Sequence, residues 1–336
     1  MKSICIIGAG AAGILLLLLL NKNGVDLSTV TLIDPHFDGG DLARKWPAVM
    51  SNTPWSKTLN ALQKHFPELN IQSDKEPDTT TKLVEISQLL LNISKPTLSR
   101  IKQIRGYVRA CSYNSDEAKW TVTYDISGKQ NTITSEKLVF TQGSRPRMLN
   151  LPIRSIPLEI ALDSYRLSHI VKPGEKVIIF GTMHSGTLVI RNCTALGMDT
   201  TAYYNSDKPF YWDRDGSYDG IKGEAADIAD SIMASTIPVN LVNIHDTEGV
   251  VRTSREADWV IYSMGFSPRN DIIVSVNGNI RQHTLYDGVT GCLNIDAPAW
   301  GFGVAYPNRA PDGIHWDVGV SPFLEHMSIQ VPKLLE

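Results

Sequence analysis

Short apolar runs broken by glycine turns set the pattern of this chain. Ile4–Ile7 is apolar at every position, as in a strand buried on both faces. It runs into Gly8-Ala9-Gly10-Ala11-Ala12-Gly13 and then into a leucine-rich stretch ending at Leu20, long enough for a helix. Val30–Ile33 is a second buried-strand run and stops at Asp34. Helical spacing is expected over 56–70 and 80–104, with a polar connection between them at Ser73–Thr81. From Gly106 the period changes to two. Tyr107–Tyr113, Lys119–Asp125 and Gln130–Thr134 then read as a three-stranded antiparallel meander. Lys137–Phe140 returns to the buried-strand pattern and leads into Thr141-Gln142-Gly143-Ser144-Arg145-Pro146-Arg147.

The same grammar recurs later. Lys176–Phe180 is a strand, Gly181-Thr182-Met183-His184-Ser185-Gly186 a turn, Thr187–Leu196 a helix stopped by Gly197, and Thr200–Tyr204 the next strand. The stretch from Asp258 to Asn270 again gives strand, glycine, then Pro-Arg. In the tail, Ser321 suits a helix cap and Pro322 the first turn. Two β-α-β units predict an α/β protein of two Rossmann-like three-layer domains, the second inserted into the first, with an antiparallel β-meander. The expected boundaries are 1–150 plus 270–336 for the first domain and 153–268 for the insert.

The opening turn has a chemical logic. Gly8 permits the tight strand-to-helix turn, Gly10 lets backbone N–H groups approach a pyrophosphate, and Gly13 lets helix and strand pack closely. Asp34 stands twenty-one residues beyond Gly13, where an acid accepts from a ribose hydroxyl. An adenine dinucleotide is the expected ligand. Two other readings of Lys2–Leu20 are weaker. A secretory signal lacks a small-x-small cleavage site before Asn21, and the stretch, about seventeen residues including Gly8, Gly10 and Gly13, is short for a membrane span of about 20.

Composition narrows the rest. A chain of 336 residues has room for two domains, and a net charge of −3 gives neither a nucleic-acid footprint nor a polybasic membrane patch. Four scattered cysteines, none in C-x-x-C, suit reduced thiols in a cytoplasmic protein. The eight histidines do not cluster with cysteine or carboxylate at ligand spacing, so no metal site is expected. A small-molecule substrate is the expected partner, and a homodimer is compatible with the sequence.

These residues together resemble the flavoproteins with two dinucleotide-binding domains, thioredoxin-reductase-like oxidoreductases and flavin-containing monooxygenases among them. The likeness rests on Gly8–Gly13 with Asp34, on Gly39-Gly40 through Trp46, and on Thr141-x-Gly143-x-x-Pro146-Arg147. It implies that Gly8, Gly10, Ala11, Ala12 and Gly13 meet the FAD diphosphate and that Asp34, with Pro35, meets the adenosine ribose. Gly40, Leu42 and Trp46 then line the path to the isoalloxazine, and Val108 supplies backbone contacts to adenine. Asn52, Thr53, Thr141, Gly143 and Ala305 belong to the same site by likeness. The tail helix near Gly319–Phe323 faces the flavin pyrimidine side. Gly181, Met183, His184, Ser185 and Gly186 form the corresponding NAD(P)H turn.

Three departures stand out. The redox C-x-x-C is missing, Gly303-Val304-Ala305 replaces the usual Gly-Asp pair, and Met183 replaces the middle glycine of the second turn. Among acid–base candidates, His315 is expected near the flavin ring; the alternative is a surface loop histidine. His184, with its pKa depressed by a helix N-terminus, and His326 complete the set. The implied activity is that of an FAD-dependent oxidoreductase, its flavin reduced by NAD(P)H or directly by an organic substrate. The alternatives are an FAD-binding protein without nicotinamide turnover, its flavin structural or sensory, and a plain NAD-binding protein.

Overall fold

The computed structural model describes residues 2–210, 218, 220–310, 313 and 315–336. Ile4–Ile7 forms the middle strand of a five-stranded parallel sheet. Val30–Ile33 and then Lys102–Ile104 lie on one side of it; Lys137–Phe140 and then Ala299–Gly301 lie on the other. Strand order thus reverses at the first strand, and the glycine turn leaves from its carboxyl end, where open α/β sheets bind ligands.

The two faces of that sheet pack differently. Ile4 and Ile6 join a helical core containing Leu15 to Leu20, each of them 3% exposed or less. The run is a buried helix, Ala11–Lys22, held between the Leu83–Leu98 and Val320–Leu335 helices. Each buried leucine contributes about 1.5–3 kcal/mol, which explains a helix apolar on every side. Cys5 and Ile7 face the other way, toward Trp120, Val122 and Tyr124 of a second sheet. That sheet is the expected meander, Tyr107–Asn114, Lys119–Ile126 and Lys129–Ser135. It is widened by Ile273–Val276, parallel to the first meander strand, and by Asn279–Arg281.

A second parallel sheet has the order Asn240–Asn243, Asp199–Tyr204, Lys176–Phe180, Trp259–Tyr262, Arg154–Ser155. Val177 and Ile179 face one core, beside Leu188 and Val189 of the His184–Ala195 helix and Ile228 of the Glu224–Met233 helix. Ile178 and Phe180 face another, with Val250 of the Thr247–Glu256 helix. The three-layer α/β reading therefore holds for both sheets. Between them, Ser144–Pro146 pairs antiparallel with Phe266–Pro268.

Two expectations need correction. The helix expected over 80–104 ends at Leu98, two residues after Pro96, and Lys102–Ile104 becomes an edge strand instead. The helix runs through Pro96, Ser99 N still bonding the Lys95 oxygen; the last turn then tightens, Arg100 N bonding the Thr97 oxygen, and the chain enters the sheet beside Thr31–Ile33. The tail helix starts at Val320 with Gly319 as its N-cap, so Ser321 lies inside the first turn and caps nothing. Of the polar loop before it, Pro311, Asp312 and Ile314 fall outside the described residues. No helix among the described residues is long and apolar enough to cross a membrane.

Candidate functional site

The opening turn is built from two glycines that the protein itself demands and one that it does not. A Cβ on Gly8 would stand 2.6 Å from the carbonyl oxygen of Thr141, and Gly8 has φ +107°. A Cβ on Gly13 would stand 2.0 Å from the Gly8 oxygen. Both distances are impossible for real atoms, so strand, turn and helix close only with glycine there. Gly10 is different: its φ is −76°, open to any residue, and a Cβ on it would enter open space. Gly10 caps the Ala11–Lys22 helix without a side-chain hydrogen bond, leaving first-turn N–H groups directed at that space.

Asp34 ties the turn to the second strand. One carboxylate oxygen accepts from Ala9 N at 2.8 Å, the other from His36 N at 2.8 Å and Phe37 N at 2.9 Å. A carboxylate has about four acceptor positions, so one is left for a ligand hydroxyl. The Thr141 hydroxyl donates to the oxygens of Ile7 and Gly8 and so braces the turn from behind. Gly10 bridges Gly39, and a Cβ on Gly40 would lie 2.8 Å from the Gly10 Cα, so the second loop abuts the first. From the tail, a Cβ on Gly303 would lie 2.6 Å from the Ala12 side chain.

The fold thus brings together Gly8, Gly10, Ala12, Gly13, Asp34, Gly40 and Thr141, with half-buried Ala11 and Pro35 beside them. The remaining expected site residues have the following surroundings. Leu42 packs on the helical core, which also encloses Phe323, whose backbone N–H bonds Gly319. Trp46 is buried edge-on against Phe266, ring centres 5.8 Å apart, in the core of the second sheet. Asn52 is exposed and accepts from the Thr53 hydroxyl. Val108 is half-buried beside a bulge in the meander, Gly143 turns with φ +74°, and Ala305 is buried under the meander.

The histidines separate by environment. His315 is exposed in the connection between Asn308–Arg309 and Trp316–Asp317, its carbonyl accepting from Ala310 N. His326 is buried; Nε2 lies 3.0 Å from the Val289 oxygen, and burial lowers its pKa. That histidine pins a loop and is not offered to a substrate. His184 also has a lowered pKa, but burial is the cause, opposed by the Glu224 carboxylate.

A polar knot beside the turn escaped the sequence reading. Gln142 Nε2 donates to the Arg269 oxygen at 2.9 Å and to the Tyr306 hydroxyl at 3.1 Å, and meets His283 Nε2 at 3.2 Å. Arg269 in turn donates to the Gln142 backbone carbonyl at 3.1 Å and to the Asp41 carboxylate at 2.5 Å. Burial raises the Tyr306 pKa strongly and lowers that of His283. The signal was the repeated Pro-Arg after each strand-glycine; nothing in local spacing links it to His283. Among the described residues no group of three or more His, Cys, Asp or Glu side chains could hold a metal ion. Burial pushes the thiols of Cys5 and Cys193 up to about 12, out of the nucleophile range.

The second turn, Gly181–Gly186, repeats the framework. A Cβ on Gly181 would lie 2.3 Å from the Ser263 oxygen, and one on Gly186 would lie 2.1 Å from the Gly181 oxygen. Ser263 N donates to the Phe180 oxygen as Thr141 N does to Ile7. The half-buried Ser185 sits in the first turn of the following helix.

No protein-family model matches the chain. It is 22% identical to the monooxygenase AgnR1 of Paecilomyces divaricatus over 98% of this chain and 97% of the relative. Among solved structures, it resembles the bacillithiol disulfide reductase Bdr of Staphylococcus aureus. The TM-score is 0.64 at 14% identity, covering 99% and 98% of the two chains. Against a cyclohexanone monooxygenase mutant from Rhodococcus sp. Phi1, bound to NADP+, the TM-score is 0.61 at 16% identity, over 99% and 85%. From end to end, the chain shares the fold of a disulfide reductase and of monooxygenases, as its two glycine turns led one to expect.

Proposed function

We propose that this protein is an FAD-dependent oxidoreductase acting on a small organic molecule, with its flavin in the first crevice and NAD(P)H at the second. The observation that carries this is Gly10. Packing and backbone angle both leave that position free, yet it is glycine, which suits a ligand whose oxygens must come within hydrogen-bond reach of the helix N-terminus. The bound isoalloxazine supplies the redox chemistry. The chain supplies the rest: helix N–H groups and their dipole hold the diphosphate, and Asp34 offers its remaining lone pair to the ribose. Residues 1–150 with 270–336 serve as the flavin unit and 153–268 as the nicotinamide unit. The reductase and monooxygenases of the same fold support this reading, and the absent C-x-x-C speaks against dithiol exchange.

Purified protein is expected to be yellow, and its oxidised-flavin band is expected to bleach on anaerobic addition of NADH or NADPH. A colourless preparation that takes up no FAD would sink the proposal. Protein that is yellow but not bleached by either nucleotide would point instead to a flavin used without nicotinamide turnover. Met183 at the second turn favours that alternative.

A further inference from the structure

We infer that Met183 is a gate on the second crevice, limiting how readily a dinucleotide diphosphate enters it. The inference rests on the proposed NAD(P)H site and adds the residue that sets its affinity. Gly181 and Gly186 answer to packing, as Gly8 and Gly13 do. The counterpart of Gly10 is Met183, and the two backbones coincide: φ −73°, ψ −169° for Met183 against φ −76°, ψ −173° for Gly10. A side chain at this position leaves in the direction that is open at Gly10. The second turn therefore keeps the glycines the fold requires and lacks the one a diphosphate requires.

The Met183 side chain starts at the N-cap of the second turn's helix, where a diphosphate would approach. Its terminal methyl carbon stands 3.1 Å from where a Cβ on Gly220 would be, while the side chain is 42% exposed. An unbranched thioether with three rotatable bonds moves aside at small cost, so it gates the crevice without sealing it. Behind it, two buried polar atoms, His184 Nδ1 and Ser263 Oγ, have no hydrogen-bond partner among the described residues. The equivalent hydroxyl at the first turn, Thr141, is fully engaged.

The test is equilibrium binding of NADH and of NADPH, followed by nucleotide fluorescence, to the wild-type protein and to Met183→Gly and Met183→Leu. Glycine is well tolerated at an N-cap, so Met183→Gly is expected to fold, with unchanged circular dichroism. Its Kd is expected to fall by about tenfold or more for at least one nucleotide, while Met183→Leu stays near wild type. Equal Kd values for wild type and Met183→Gly, or no binding by either, would overturn the gate. Only the second turn differs between wild type and Met183→Gly, so the change in Kd reads that crevice whether or not flavin fills the first, and a flavin-free preparation counts against the proposed function and not against Met183.

Discussion

The two glycine turns of this molecule share a framework and differ in what they offer a ligand. Both have a glycine pressed on a neighbouring strand's carbonyl and a second pressed on the first. Only Gly8–Gly13 adds a free middle glycine and a carboxylate that ties the turn to the next strand. By register, Gly8 N bonds the Ile33 oxygen and Gly181 N the Tyr203 oxygen, so the counterpart of Asp34 is Tyr204. Glycines that hold a turn together are thus separable from glycines that admit a ligand, and counting G-x-G-x-x-G merges the two.

That separation can be broken by experiment. Gly13→Ala and Gly186→Ala are both expected to destabilise by at least about 3 kcal/mol, read as urea midpoints, because each forces a Cβ onto a carbonyl oxygen. Unequal losses would mean the two turns are not built alike. Asp34→Asn is expected to cost about 1–3 kcal/mol, since an amide nitrogen then faces backbone donors. The same exchange at Asp207, exposed after the second unit's strand, should cost nothing measurable. Gly10→Met is expected to leave apoprotein stability within about 0.5 kcal/mol while flavin content collapses. A Gly10→Met protein that keeps its flavin would refute the division of labour among the glycines.

The smallest effect concerns pH. His184 occupies the second turn where Ala11 stands in the first, and burial holds its pKa below the usual 6.5. The unfolded chain therefore takes up that proton first, so the contribution is complete above about pH 6.5 and is lost as pH falls through the folded-state value. His283 and His326 act in the same sense. His184→Ala is expected to flatten slightly the decline of the urea midpoint between about pH 7 and about pH 5. An unchanged slope would show that His184 does not titrate as its burial dictates.

Much of this was legible from local pattern. Uninterrupted apolar tetrads gave the buried strands, the period-two stretch gave the meander, and Gly8–Gly13 with Asp34 gave the tied glycine turn, because each is governed by neighbours in sequence. What escaped depends on partners far along the chain. Ile273–Val276 joins the meander across more than 160 residues, as the pairing of Ser275 with Ser112 shows, and Gln142 meets His283 across 141. Trp46, adjacent to the second loop in sequence, spends its ring on Phe266, a contact that no spacing rule signals. Gly319 took the cap expected of Ser321 because its φ of +135° lets the chain turn sharply into the helix, a need invisible in composition.

The short pairing of Ser144–Pro146 with Phe266–Pro268 has a consequence for how such a chain can be rebuilt. The polypeptide leaves for the second sheet and comes back along adjacent, oppositely directed strands, so everything between is topologically the tip of one long hairpin. Because closure entropy grows only slowly with loop length, lengthening, trimming or exchanging that tip disturbs the stem little. The arrangement makes the second-sheet unit a cassette, free to diverge at positions such as Met183, with Trp46 a first-unit side chain that any exchange must accommodate.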